Sequence, residues 1–99
     1  MPSIEELLME YGYEGLKILQ NYSYDTALIG VTTPDCRAVY DYNRMVDWLI
    51  EHEKFSTEDA MEWIDYNTIR ALPYMEPGAP IVVMPIDTEG YITEEEEIP

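Results

Sequence analysis

Acidic and neutral stretches alternate along the chain, and that alternation limits the folds open to it. Residues 1–25 carry five acids and one base, 26–40 one of each, 41–65 eight acids and two bases, 66–86 one of each, and 87–99 six acids and no base. The neutral stretches hold the β-branched and apolar runs, Thr26–Thr33 and Arg37–Tyr40 in the first, Ile81–Met84 in the second. A buried sheet tolerates few charges, whereas the outer face of a helix solvates them readily. Neutral strand blocks set between acidic helical blocks therefore predict an α+β fold, a small mainly antiparallel sheet packed with about three helices. The 99 residues suffice for a single domain, which we place at 1–93, with 94–99 as an acidic tail.

Local signals place the elements. Ser3 and Glu6 form an S-x-x-E capping box ahead of Ile4, Leu7 and Leu8, so a helix is expected from about residue 4. Gly12 should end or kink it, with a second helical piece through Tyr13, Leu16, Ile18 and Leu19 and a turn over Asn21–Asp25. Thr26–Thr33 reads as a strand, Pro34-Asp35 as a turn and Arg37–Tyr40 as a short antiparallel return. Asp41 is a good N-cap for a helix reaching Glu53, with Tyr42, Met45, Val46 and Leu49 on its inward face. After the link Lys54-Phe55-Ser56, a further helix starts at Ser56 and turns Ala60, Met61 and Ile64 inward, and Pro73 stops it just beyond Leu72. Pro77–Pro80 is a rigid loop, Ile81–Met84 a buried strand, and Asp87–Gly90 a turn returning through Tyr91–Thr93. That hairpin is preferred to a calcium loop over the same residues, because Pro85 would occupy its first ligand position.

The net charge of −16 and a pI near 4.1 exclude direct binding to nucleic-acid phosphates. The two helices around Lys54–Ser56 have helix-turn-helix spacing, but the second carries Glu58, Asp59, Glu62 and Asp65 and no base, which a duplex would repel. No apolar run is long enough for a membrane span, and the first ten residues lack the pattern of a signal peptide. With the single Cys36 this makes a cytoplasmic protein the expectation. The catalytic inventory is thin: one histidine, His52, between Glu51 and Glu53; one cysteine after a turn; and serines better used as caps or in turns. Neither a zinc-ligand set, a phosphate loop nor a nucleophile elbow occurs, so no enzyme, cofactor or metal is expected.

One pattern points toward a partner. Glu58, Glu62 and Asp65 stand at i, i+4 and i+7 with Asp59 beside them, and Asp47 and Glu51 add a second pair four apart. Carboxylates on successive helical turns lie about 5–6 Å apart along the axis, a spacing comparable to that of phosphates on one nucleic-acid strand. Such a stripe can engage arginines and lysines built to grip phosphate, although charged outer faces also serve plain solubility. Spread over the whole surface the charge is too dilute to imitate DNA, at roughly 360 Å² per net charge, so any mimicry is local. Nine tyrosines add amphipathic side chains suited to the edge of a core or to an interface, and Trp63 and Tyr66 lie close to the acidic stripe.

Tyr40–Ile50 (YDYNRMVDWLI) followed by Glu62–Tyr74 (EWIDYNTIRALPY) resembles a group of small acidic uncharacterised proteins from Gram-positive gut bacteria and their phages or prophages. The resemblance spans Ala27 to Met84, and its most distinctive piece is Trp63–Pro73. It implies a bacterial or phage origin and brings no activity and no functional residue with it. Within this run Arg70 is a lone base, expected to pair with Asp65 or to cap backbone carbonyls.

Two functions of different class are therefore expected. The first is a protein-binding module that offers Asp47, Glu51, Glu58, Asp59, Glu62 and Asp65 to a basic surface, in its sharpest form a phage-associated decoy inhibitor of a nucleic-acid-handling host protein. The second is a structural or accessory protein that forms homo-oligomers through a tyrosine-rich surface, its charge serving solubility alone.

Overall fold

Ser3 begins the first ordered element as its sequence neighbours require. Its Oγ accepts the Glu6 amide at 3.1 Å while Glu6 Oε1 accepts the Ser3 amide at 3.1 Å, a reciprocal box that opens α1 (Ile4–Glu10). The computed structural model describes residues 3–13, 15–20 and 22–86. The hairpin expected over 87–93, the alternative calcium loop and the tail 94–99 lie outside the described residues, as does the domain boundary between them.

Beyond α1 the chain departs from expectation. Leu16–Gln20 is irregular rather than helical. Gly12 and Gly15 both adopt positive φ, +87° and +80°, conformations that end a helix and that a side chain would disfavour. The segment finds tertiary partners instead. The Leu19 amide donates to the Tyr40 hydroxyl at 3.1 Å, and Lys17 Nζ donates to the carbonyls of Met75 and Pro77 at 2.8 Å each. Leu19 is buried, with Leu16 and Ile18 packed beside it.

A 3-10 turn (Asp25–Ala27) leads into β1 (Leu28–Val31), which is shorter than the expected strand. β2 (Ala38–Asp41) returns antiparallel to it. Leu28 faces Tyr40 and Gly30 faces Val39, so Ile29 is the extra residue of a β-bulge and stands 47% exposed. β3 (Ile81–Val83) joins the other side of β2 in parallel, giving the order β1-β2-β3. A parallel pair needs a long crossover, and α2 with α3 supplies it. The chain is thus a small α+β domain.

α2 (Tyr42–Glu53) starts as expected. Asp41 accepts the Arg44 amide at 3.1 Å, and Tyr42, Met45, Val46 and Leu49 are all buried. Lys54, in the left-handed conformation, closes it. Ser56 then caps α3 (Thr57–Trp63) by accepting the Asp59 amide at 3.1 Å. α3 runs without a break into a π-helical stretch, Ile64–Ile69. Ala60, Ile64 and Thr68 form its buried stripe, while Met61, expected inward, is 42% exposed. Residues four apart on an α-helix drift sideways by about 40° per step. Wider winding from Ile64 onward cancels that drift and keeps Thr68 under Ile64. A 3-10 turn, Leu72–Met75, carries Pro73 in its first turn and ends the helical run.

The core joins β2, the inward face of α2, Ala60 of α3 and Ile64 of the π-helical stretch. Beside it Tyr22 packs against Tyr24, Trp48, Phe55 and Trp63 with ring centroids 5.3–6.3 Å apart. Tyr22 and Tyr24 themselves adopt positive φ, 36° and 50°, an unfavourable backbone state that this aromatic packing sustains.

Candidate functional site

The six acids singled out by spacing all reach the surface. Asp47 and Glu51 stand on α2, Glu58, Asp59 and Glu62 on α3, and Asp65 in the π-helical stretch. On α2 the pair lies opposite Met45 and Leu49, as the three- and four-residue spacing of the buried face requires. The structure does not bring the six into one cluster. Asp59 and Glu62 share a groove of about 380 Å³ with Phe55, Trp63, Tyr66 and Asn67. Asp65 is engaged within the protein, its Oδ1 accepting the Tyr42 hydroxyl at 3.1 Å. Asp47, Glu51 and Glu58 are exposed and lie outside the lining of that groove.

None of the six acids is ion-paired among the described residues. Among the described residues the one ion pair is Arg37 with Glu76, at 2.7 Å, and it includes none of the six acids. Lys54, in the link between the two helices, donates to the Glu51 carbonyl at 3.1 Å rather than to a carboxylate. Arg70 does not pair with Asp65. Its guanidinium lies over the Tyr66 ring, 4.9 Å from the centroid. A negative potential at these faces is the electrostatic consequence.

Burial tunes three phenols of the interior. Burial pushes the Tyr24 hydroxyl up, opposed by its hydrogen bond with Thr68. Burial likewise raises Tyr40, opposed by the Leu19 amide. Tyr42 is raised by burial first and then by its hydrogen bond to Asp65 and that group's charge. All three remain neutral hydroxyls at physiological pH, where they act as hydrogen-bonding struts. The Trp63 indole N–H is buried without an acceptor among the described residues.

No family model, curated protein or solved structure matches the chain. His52 is exposed and stacks on Trp48 with centroids 4.6 Å apart. Cys36 is exposed and unpaired. Among the described residues no group of three or more His, Cys, Asp or Glu is placed to hold a metal, and no helix is long and apolar enough to cross a membrane. A second groove, about 390 Å³, runs between Leu16–Gln20 and Asn67, Thr68, Ala71 and Met75, but its charged residue, Lys17, is committed to the two carbonyls already described.

Spacing places Trp63 and Tyr66 near the acids, and the structure adds Phe55 and Asn67, which complete a recess with them. Phe55 is the only phenylalanine and sits in a three-residue link between helices, a place where a large apolar residue needs a reason. That was the available signal.

Proposed function

We propose that this chain is a non-enzymatic protein-binding module whose acidic α2 and α3 faces engage a basic partner surface. The carrying observation is that Asp47, Glu51, Glu58, Asp59 and Glu62 are exposed on adjacent packed helices with no cation paired to them among the described residues. Concentrated unpaired carboxylates accelerate encounter with a positive surface and make the complex salt-sensitive. The sharpest form of the reading is a phage-associated decoy that occupies the phosphate-gripping arginines of a nucleic-acid-handling host protein. The experiment is affinity capture from a Gram-positive bacterial lysate at low salt, eluted with a salt gradient. Recovery of a basic or nucleic-acid-binding protein that elutes early in the gradient supports it. Recovery of none rejects it.

A second reading, self-association as a structural or accessory protein, is favoured by a different observation. Leu7, Tyr11 and Ile29 are 37%, 71% and 47% exposed and belong to α1, the turn that follows it and the bulged strand β1. A groove of about 330 Å³ lies between α1 and that strand. Clustered exposed apolar side chains beside an edge strand favour association. Sedimentation equilibrium separates the two: apolar self-association persists at high salt, whereas a monomer at every salt concentration removes this reading.

A further inference from the structure

The recess between α3 and the α2–α3 link joins two features that favour the same ligand group. Phe55, Trp63 and Tyr66 line it, and Asp59 and Glu62 are part of the same lining. Aromatic faces attract cations, more strongly where carboxylates stand nearby and water is partly excluded. Tyr66 already holds such a group, since the Arg70 guanidinium lies 4.9 Å from its ring centroid. Arg70 is not among the residues lining the groove, so its own stacking leaves the recess open. Charge favours an incoming cation as well, because Asp59 and Glu62 have no ion-pair partner among the described residues. Between the two basic side chains, a planar guanidinium can stack on a ring while its edge donates to carboxylates, whereas an ammonium is more strongly hydrated and presents a point charge.

Building on the acidic-face reading proposed above, we infer that the Phe55–Trp63–Tyr66 groove seats one arginine side chain of a basic partner protein, stacked on an aromatic wall and paired with Asp59 and Glu62. The outer carboxylates Asp47, Glu51 and Glu58 then steer the partner, and the groove selects arginine over lysine. Recognition is divided accordingly: long-range attraction is diffuse, and residue choice is made in one recess.

Hexa-arginine and hexalysine of equal charge, titrated into the full chain at low ionic strength and followed by NMR, test this. The expected result is tighter binding of hexa-arginine, with shifts at the Trp63 indole N–H and the Tyr66 ring. Tyr66→Leu should weaken hexa-arginine by about two- to fivefold and hexalysine less, the range of an exposed cation–π contact. Tyr66 is 57% exposed and its replacement gives up only the Arg70 stack, so an intact fold with a slightly lowered thermal melt accompanies this loss. Tyr74→Leu, at a tyrosine 89% exposed and outside the groove, should change neither titration. Salt-sensitive binding that leaves Trp63 and Tyr66 unshifted, or a Tyr66→Leu variant that loses both peptides equally, overturns the groove and leaves the acidic-face reading standing. Failure of the unsubstituted chain to bind either peptide overturns both.

Discussion

The Tyr24 hydroxyl and Thr68 Oγ1 lie 2.9 Å apart in the interior, 44 positions apart in sequence. Thr68 is the one buried polar side chain among the described core residues, and it reaches Tyr24 from the π-helical stretch of Ile64–Ile69. Removing one partner of a buried pair strands the other, while removing both can be nearly neutral. Thr68→Val is therefore expected to destabilise the fold by about 1–3 kcal/mol. Tyr24→Phe combined with Thr68→Val should recover most of that loss. Urea denaturation of the single and double variants measures it, and additive losses would contradict the pairing.

Alkaline pH should unfold the protein through its buried phenols. Tyr24, Tyr40 and Tyr42 are all raised above the ordinary value of 10.0, chiefly by burial. A raised folded-state value means that the unfolded chain loses its protons first as pH rises. The stabilisation is complete below pH 10.0 and declines as pH climbs from there through the folded-state values. Thermal melts across this range, followed with tyrosinate absorbance, should show the melting temperature falling as the buried phenols ionise. A flat profile above pH 10.0 would remove the argument.

Ser56→Ala should cost about 1 kcal/mol, since the Asp59 amide loses its acceptor at the start of α3. Ser56→Asp should restore the loss, because a carboxylate caps equally well and suits the helix dipole. Chemical denaturation distinguishes them, and equal stability of the serine and alanine forms would show that the cap contributes nothing.

Glu58→Lys combined with Glu62→Lys should abolish capture of a basic partner while leaving the circular dichroism unchanged, because both carboxylates are exposed. Asp65 has a structural role besides its charge. Its Oδ1 holds the Tyr42 hydroxyl at 3.1 Å, so replacing it disturbs the junction of α2 with the π-helical stretch as well as the charge. Undiminished capture by the double variant would move the binding surface elsewhere.

Met61→Ser should be tolerated within about 0.5 kcal/mol, whereas Ile64→Ala should cost about 2–5 kcal/mol. Both were expected to face inward, yet Met61 is 42% exposed and Ile64 fully buried. Urea midpoints of the two variants check the assignment, and comparable losses would place both in the core.

Much of the architecture was legible in local chemistry. The caps at Ser3, Asp41 and Ser56 each need only a side-chain oxygen within three residues of a free amide, so short-range spacing reveals them. The inward face of α2 follows from helical periodicity, which places Met45, Val46 and Leu49 together whatever they pack against. The outward position of the six acids was legible for the same reason, because a solvated charge needs no partner to specify it.

What lay beyond local pattern depended on partners distant in sequence. The irregular path of Leu16–Gln20 is held by Tyr40, whose hydroxyl accepts the Leu19 amide that a helix would have satisfied internally, and by the Met75 and Pro77 carbonyls, which accept the Lys17 ammonium. The bulge at Ile29 and the parallel seating of β3 express strand register, and register is settled between strands rather than within one. The division of the acids likewise came from packing: Tyr42 claims Asp65, while Phe55 closes a recess around Asp59 and Glu62. Alternating charge and apolar blocks determine that this chain folds with acidic helices outside a neutral sheet, because solvation acts on each residue where it stands. Which carboxylates remain free to meet a partner is decided only when α2, α3 and their link pack together.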